Sequence, residues 1–122
     1  MTPLSAKTLL PNSILLIEDP GGGEIPVWVA GKLIASSGSC IAVGCRSETD
    51  GETEVLIGRA GDVDPGLLPA FDGTLPTPSR GLAVRSVLGD TVLEVPVRGD
   101  ETRIRVWVNH SVEPDRVIIG IA

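Results

Sequence analysis

Tyrosine is absent, histidine occurs once, and the aromatic residues are two tryptophans and one phenylalanine. Three rings, Trp28, Phe71 and Trp107, make a poor platform for stacking nucleic-acid bases. The net charge of −6 repels phosphate backbones, so direct nucleic-acid binding is disfavoured twice over. Long apolar runs are also missing, and no stretch approaches the length needed to cross a bilayer. The N-terminal MTPLSAKTLLPNSILLI lacks a cationic start, and its apolar run is broken at Pro11, Asn12 and Ser13, which argues against a secretory leader. Only two cysteines occur, Cys40 and Cys45. With no leader they read as free thiols in a reducing compartment, so a cytoplasmic setting is expected.

Glycine and proline, by contrast, are plentiful at 15 and 10 of 122 residues. They punctuate short segments rich in Val and Ile, which is the pattern of a β protein. Eight candidate strands follow: 13–18, 25–29, 39–45, 53–58, 81–87, 91–97, 102–108 and 116–121. AGKLIAS over 30–36 alternates less cleanly and is a candidate short helix. The expected fold is all-β, one antiparallel β-sandwich of about eight short strands over residues 1–122, jelly-roll or immunoglobulin-like. A chain of this length buries enough surface to need no disulfide or metal. The mean hydropathy of +0.25 leaves room for an apolar surface shared with a partner or a second copy.

Within 81–108 the alternation is clearest. Leu93, Val95 and Val97 face a core, as do Ile104, Val106 and Val108, while Arg103, Arg105 and Trp107 share the opposite face. Pro96 cannot donate to a ladder, which places its strand at an edge or bulge. Arg105 and Trp107, two residues apart, make a candidate contact surface. Residues 59–80 carry four prolines and no clean period, and read as a long irregular loop that packs down through Leu67, Leu68, Phe71 and Leu75.

The charge is unevenly spread. Residues 1–72 hold ten acids against four bases, whereas 73–122 hold six of each. The densest acidic stretch is SETDGETE, at 47–54. Its spacing lacks the D-x-[DN]-x-[DN]-G of a calcium loop, so no metal is expected. Asp50-Gly51 reads as a two-residue hairpin turn that folds SCIAVGC back onto TEVLIG. Glu48, Asp50, Glu52 and Glu54 would then stand at its tip as candidate partner contacts.

Other motifs fall short of chemistry. Cys40 and Cys45, five apart in a strand, point to opposite faces about 16 Å apart, so they neither bridge nor share a metal. DPGGGE at 19–24 is followed by a strand and lacks the Lys-Ser/Thr of a phosphate loop, which leaves a flexible loop. His110 has Ser111, Glu113 and Asp115 nearby, but no nucleophile elbow exists and sequence neighbours do not make a triad. Arg98-Gly99-Asp100 reads as a hairpin turn. No catalytic residue and no cofactor are expected.

One resemblance bears on function. Trp28, then AGKLIASS, then Gly38, Ser39 and Gly44, followed by EVPVRGDETRIRVWV with Trp107, resembles in order the competence protein J family of bacterial nuclease inhibitors. The match covers about residues 25–110. It implies an acidic, non-enzymatic sandwich that binds a partner protein such as a nuclease, and no inhibitory residue carries over. The reading is therefore a protein-binding module with an acidic face. The alternatives are a structural homo-oligomer meeting through Arg105 and Trp107, or a small-ligand binder with a pocket under the 59–80 loop, rimmed by His110, Asp62 or Asp64.

Overall fold

The computed structural model describes residues 1–27 and 32–122. Among these, ten strands form two five-stranded sheets. The first sheet holds β1 (Leu4–Thr8), β5 (Thr53–Arg59), β10 (Arg116–Ile121), β9 (Glu101–Val108) and β6 (Phe71–Pro76), in that order. The second holds β3 (Ile34–Ser36), β4 (Cys40–Gly44), β2 (Ile14–Glu18), β7 (Gly81–Ser86) and β8 (Thr91–Pro96). All pairings are antiparallel except β5 with β10, which run parallel with Val55 beside Val117 and Ile57 beside Ile119. The expected all-β sandwich is the observed architecture, with this one parallel pair added.

The core lies between the sheets. Leu15 and Ile17, Ile41 and Val43, Leu82 and Val84 point inward from the second sheet, against Val55, Ile57, Ile104, Val106, Val117 and Ile119 from the first. Each set follows the period of two along its strand, and Ile104 and Val106 are where the sequence alternation placed them. β8 is an edge strand and Pro96 is its last residue, where no ladder donor is needed.

Three local expectations change. Ile34–Ser36 is strand β3, not part of a helix at 30–36, because Ile34 pairs beside Val43 and packs on the core. Ala30 and Gly31 of that candidate helix lie outside the described residues, as do Trp28 and Val29 of the expected strand 25–29, whose residues 25–27 are not in a strand. Among the described residues the one α-helical turn is α1 (Ala60–Val63). It and β6 supply regular structure inside the 59–80 stretch read as irregular.

The third change concerns the turns. Asp50-Gly51 does not close a hairpin, because β4 and β5 belong to different sheets. Residues 48–50 form a 3₁₀ turn whose start is capped by Ser47 Oγ, which accepts from the Thr49 N–H at 3.2 Å. A two-residue hairpin of the favoured kind needs positive φ at both central residues, and here only Gly51 has it, at 129°. The chain is instead held to the other sheet: the Arg46 N–H donates to Pro114 O and the Glu54 N–H to Asp115 O. Arg98-Gly99-Asp100 likewise joins β8 of one sheet to β9 of the other. True hairpins join β3 to β4, where Gly38 has φ of 91°, β7 to β8, where Gly89 has φ of 90°, and β9 to β10.

Candidate protein-binding surface

The acidic turn is exposed at Glu48, Asp50 and Glu52. Among the described residues none of these three carboxylates is in an ion pair. Glu54 differs: it is half-buried, and Arg116 Nε meets its Oε1 at 3.0 Å. Arg46 reaches Asp115 at 3.6 Å. The Asn109 amide donates to the Asp115 carboxylate, and with the Arg46 charge it holds that carboxyl below its usual range. Arg116 and Arg46 are thus engaged by Glu54 and Asp115, while Lys7 sits beside Glu54 in register and the Arg46 guanidinium lies against Gly51. The backbone bonds of Arg46 and Glu54 fix both ends of the turn, so three charges are displayed on a rigid base.

Glu54, Arg105 and Trp107 all lie on the outer face of the first sheet, but the structure does not bring them together. In register, Glu54 sits beside Arg116, Trp107 opposite Ile118, and Arg105 opposite Gly120. Two residues along a strand cover about 7 Å and four about 13 Å, which spaces the three out along the face. Arg105 pairs with Asp72 at 3.4 Å, and Arg103 binds the same carboxylate through two bonds of 2.9 and 3.0 Å. The Arg103 bonds are the chief reason that the Asp72 carboxyl is held below its usual range.

Trp107 is removed from the candidate contacts. It is only 2% exposed and packs with Ala60, Val63 and Ile118 beneath α1. Its indole N–H donates to Leu67 O at 2.9 Å. Alternation placed it on the outer face correctly, but a second layer covers that face there. Trp107 also fills the space under α1, and the cleft that the stretch does border, at Arg59, Ala60 and Gly61, is not rimmed by His110, Asp62 or Asp64. What the loop does expose is Leu67 at 65% and Leu68 at 94%, flanked by Asp62 and Asp64.

His110 organises the β9–β10 loop. Its Nδ1 accepts the N–H groups of Val112 and Glu113, each at 3.1 Å. Both bonds lie within the loop, so Nδ1 serves to order its backbone.

The DPGGGE segment is tied down rather than flexible. Asp19 accepts from the Gly21 N–H, the Ser79 N–H and the Ser79 hydroxyl at 2.6 to 2.9 Å. Burial opposes its charge, but these bonds and the Arg85 charge prevail and hold the carboxyl below the ordinary 3.8. A lowered carboxyl stabilises the fold fully above its ordinary value, and the contribution is lost as pH falls below it. Glu18 is buried, takes the Gly23 N–H at 2.9 Å and pairs with Arg85 at 3.1 Å. No sequence motif announced this cluster. The only signal was an acid pair, Glu18-Asp19, ending a strand otherwise made of apolar residues.

Both cysteines are buried and free. Cys45 belongs to the main core, and Cys40 packs with Leu16 and Ala42 on the outer side of the second sheet. Burial pushes each thiol up to about 12, the Glu18 charge adding to the effect at Cys40. Native protein should therefore leave a disulfide-exchange thiol reagent unreacted over hours, and denatured protein should release two equivalents per chain. A thiol that titrates quickly in the native state would contradict this burial.

Among the described residues no group of three or more His, Cys, Asp or Glu side chains could hold a metal, and no helix is long and apolar enough to cross a membrane. At the two ends of β5 the exposed features are thus a fixed acidic turn at its start and a leucine pair beyond its end.

No protein-family model matches the chain, and no curated protein matches it. Solved structures do. The chain is similar to the crystal structure of ComJ, inhibitor of the DNA degrading activity of NucA, from Bacillus subtilis, with a TM-score of 0.70 and 10% identity over 99% of this chain and 94% of that one. It is also similar to a protein described as crocagin biosynthetic gene J, with a TM-score of 0.50 and 9% identity over 99% and 97% of the two chains. At such identity the likeness establishes the fold, and the family resemblance drawn from the sequence is matched at that level.

Proposed function

We propose that this chain is a non-enzymatic protein-binding module that inhibits a partner enzyme, a nuclease in the first instance, by placing its acidic turn against the partner's basic surface. The observation that carries the reading is the set of unpaired carboxylates at Glu48, Asp50 and Glu52 on a turn pinned at both ends. An enzyme that acts on nucleic acid needs a positively charged groove, and a rigid acidic projection is complementary to it. The similarity to ComJ, described as an inhibitor of a DNA-degrading activity, supports the same direction. Leu67 and Leu68 supply an apolar anchor that charge alone would lack. The two free buried thiols suit a reducing, cytoplasmic setting.

The test combines the purified chain with a nuclease encoded in the same genome and measures DNA digestion and association rate. Inhibition is expected, and binding should weaken about 10-fold or more between about 50 and about 300 mM salt. The triple variant Glu48→Gln, Asp50→Asn, Glu52→Gln should lose most of that salt dependence through a slower association rate, with its thermal midpoint unchanged. An unaltered association rate in the triple variant would remove the acidic turn from the interface.

A further inference from the structure

A cleft of about 560 Å³ opens at the end of the first sheet away from the acidic turn. Three arginines line it in a protein whose net charge is negative: Arg59 from the end of β5, Arg98 from the β8–β9 connection, and Arg105 from β9. Neither Arg59 nor Arg98 is in an ion pair among the described residues. Arg105 touches Asp72 only at 3.4 Å, and that carboxylate is already bound twice by Arg103. Glu101 is the single carboxylate side chain of the lining. Arg59 and Arg98 therefore bring positive charge to the cleft that no ion pair among the described residues neutralises.

The base of Arg98 is also fixed. Arg98 O accepts from Arg80 Nη1 at 2.7 Å, Gly99 O from the Thr77 hydroxyl at 2.8 Å, and Asp100 O from the Thr77 N–H at 2.8 Å. Three consecutive carbonyls are engaged, so the connection is held and only the guanidinium remains to be ordered on binding. That lowers the entropic cost of capturing a ligand. Pro96, Val97 and Ile121 add apolar surface to the lining. A concave site of a few hundred Å³ with an apolar wall and a few convergent polar groups is the usual form of a small-molecule site. Guanidinium groups bind carboxylate and phosphate oxygens in matched pairs.

We propose that this cleft binds a small organic oxyanion, a phosphate monoester or a carboxylate carried on an apolar body. The proposal is independent of the acidic turn, from which the cleft is separated by the length of β5, about 20 Å. Titration of the ¹⁵N-labelled full chain with phenyl phosphate tests it. Saturating shifts are expected at the amides of Gly61, Gly99 and Thr102, with affinity lowered about 10-fold or more in the Arg59→Ala, Arg98→Ala double variant. Arg116→Ala, at the far end of the same sheet, should alter affinity by less than about 2-fold, since screening limits its reach. Shifts that never saturate, or an equal loss in Arg116→Ala, would overturn the proposal. A parallel titration with a glutamate-rich peptide separates the sources: tighter saturation by the peptide would overturn the small-ligand occupant and assign the cleft to an acidic protein segment.

Discussion

Trp107→Ala is expected to cost about 3 to 5 kcal/mol of stability, because it empties a site whose walls cannot collapse. The indole is 2% exposed and sits between the first sheet and α1, against Ala60, Val63 and Ile118. Gly120 on the neighbouring strand makes room for it, since a Cβ there would lie 2.8 Å from Trp107 Cζ3. Its N–H also satisfies the Leu67 carbonyl, so removal strips the loop after α1 of its side-chain tether to the sheet and leaves the Ala70 N–H to Val106 O bond to hold it. Denaturant unfolding, read at constant slope, measures the loss. Trp107→Phe should cost less, about 1 to 2 kcal/mol, since it keeps most of the packing and forfeits the hydrogen bond. A change below about 1 kcal/mol for the alanine variant would mean that the ring is a surface contact after all.

Breaking the Glu18–Arg85 pair should have an effect of similar size. Glu18→Ala leaves the Arg85 guanidinium without its carboxylate in a largely buried site, and such losses cost about 3 to 5 kcal/mol. The side chains are 8% and 18% exposed, so solvent can do little to compensate. Two further bonds depend on the pair. The Gly23 N–H loses its acceptor, and Arg85 Nη2, which donates to Pro20 O at 2.7 Å, loses the group that positions it. A register shift between Val84 and Arg85 in the β7–β8 ladder accompanies this placement. The double variant Glu18→Met, Arg85→Met should recover much of the lost stability, because neither charge is then buried alone. A double-mutant cycle separates the pair from its surroundings, and additivity within about 0.5 kcal/mol would show that the two residues act independently.

These two residues show how far the sequence could be read. Trp107 alternates with Arg103 and Arg105, and period two put all three on the face away from the core, where they are. Whether that face meets water or protein depends on α1, four residues whose composition gave no helical period. Glu18 and Asp19 end an apolar strand and look like the start of a solvated turn. Their burial follows from contacts 60 and 67 residues away along the chain, with Ser79 and Arg85. Cys40 and Cys45 were legible, because opposite faces follow from an odd spacing alone. β1 and β6 were not: Leu4–Thr8 is mostly exposed with weak alternation, and Phe71–Pro76 begins and ends among Pro and Gly, so both owe their extended form to pairing partners.

The sequence by itself determined the class, the positions of β2, β4, β5, β7, β8, β9 and β10, the core faces of β8 and β9, the separation of the thiols and the acidic stretch at 47–54. Those properties depend on the alternation of side chains within single strands or on composition, and such signals are local. Only the tertiary structure decided that Asp50-Gly51 and Arg98-Gly99-Asp100 cross between sheets, that Trp107 is covered, and that Arg59, Arg98 and Arg105 converge on one cleft. Which strand pairs with which is set by burial of whole apolar faces against each other, so turn residues that could close a hairpin yield to the packing of the sandwich.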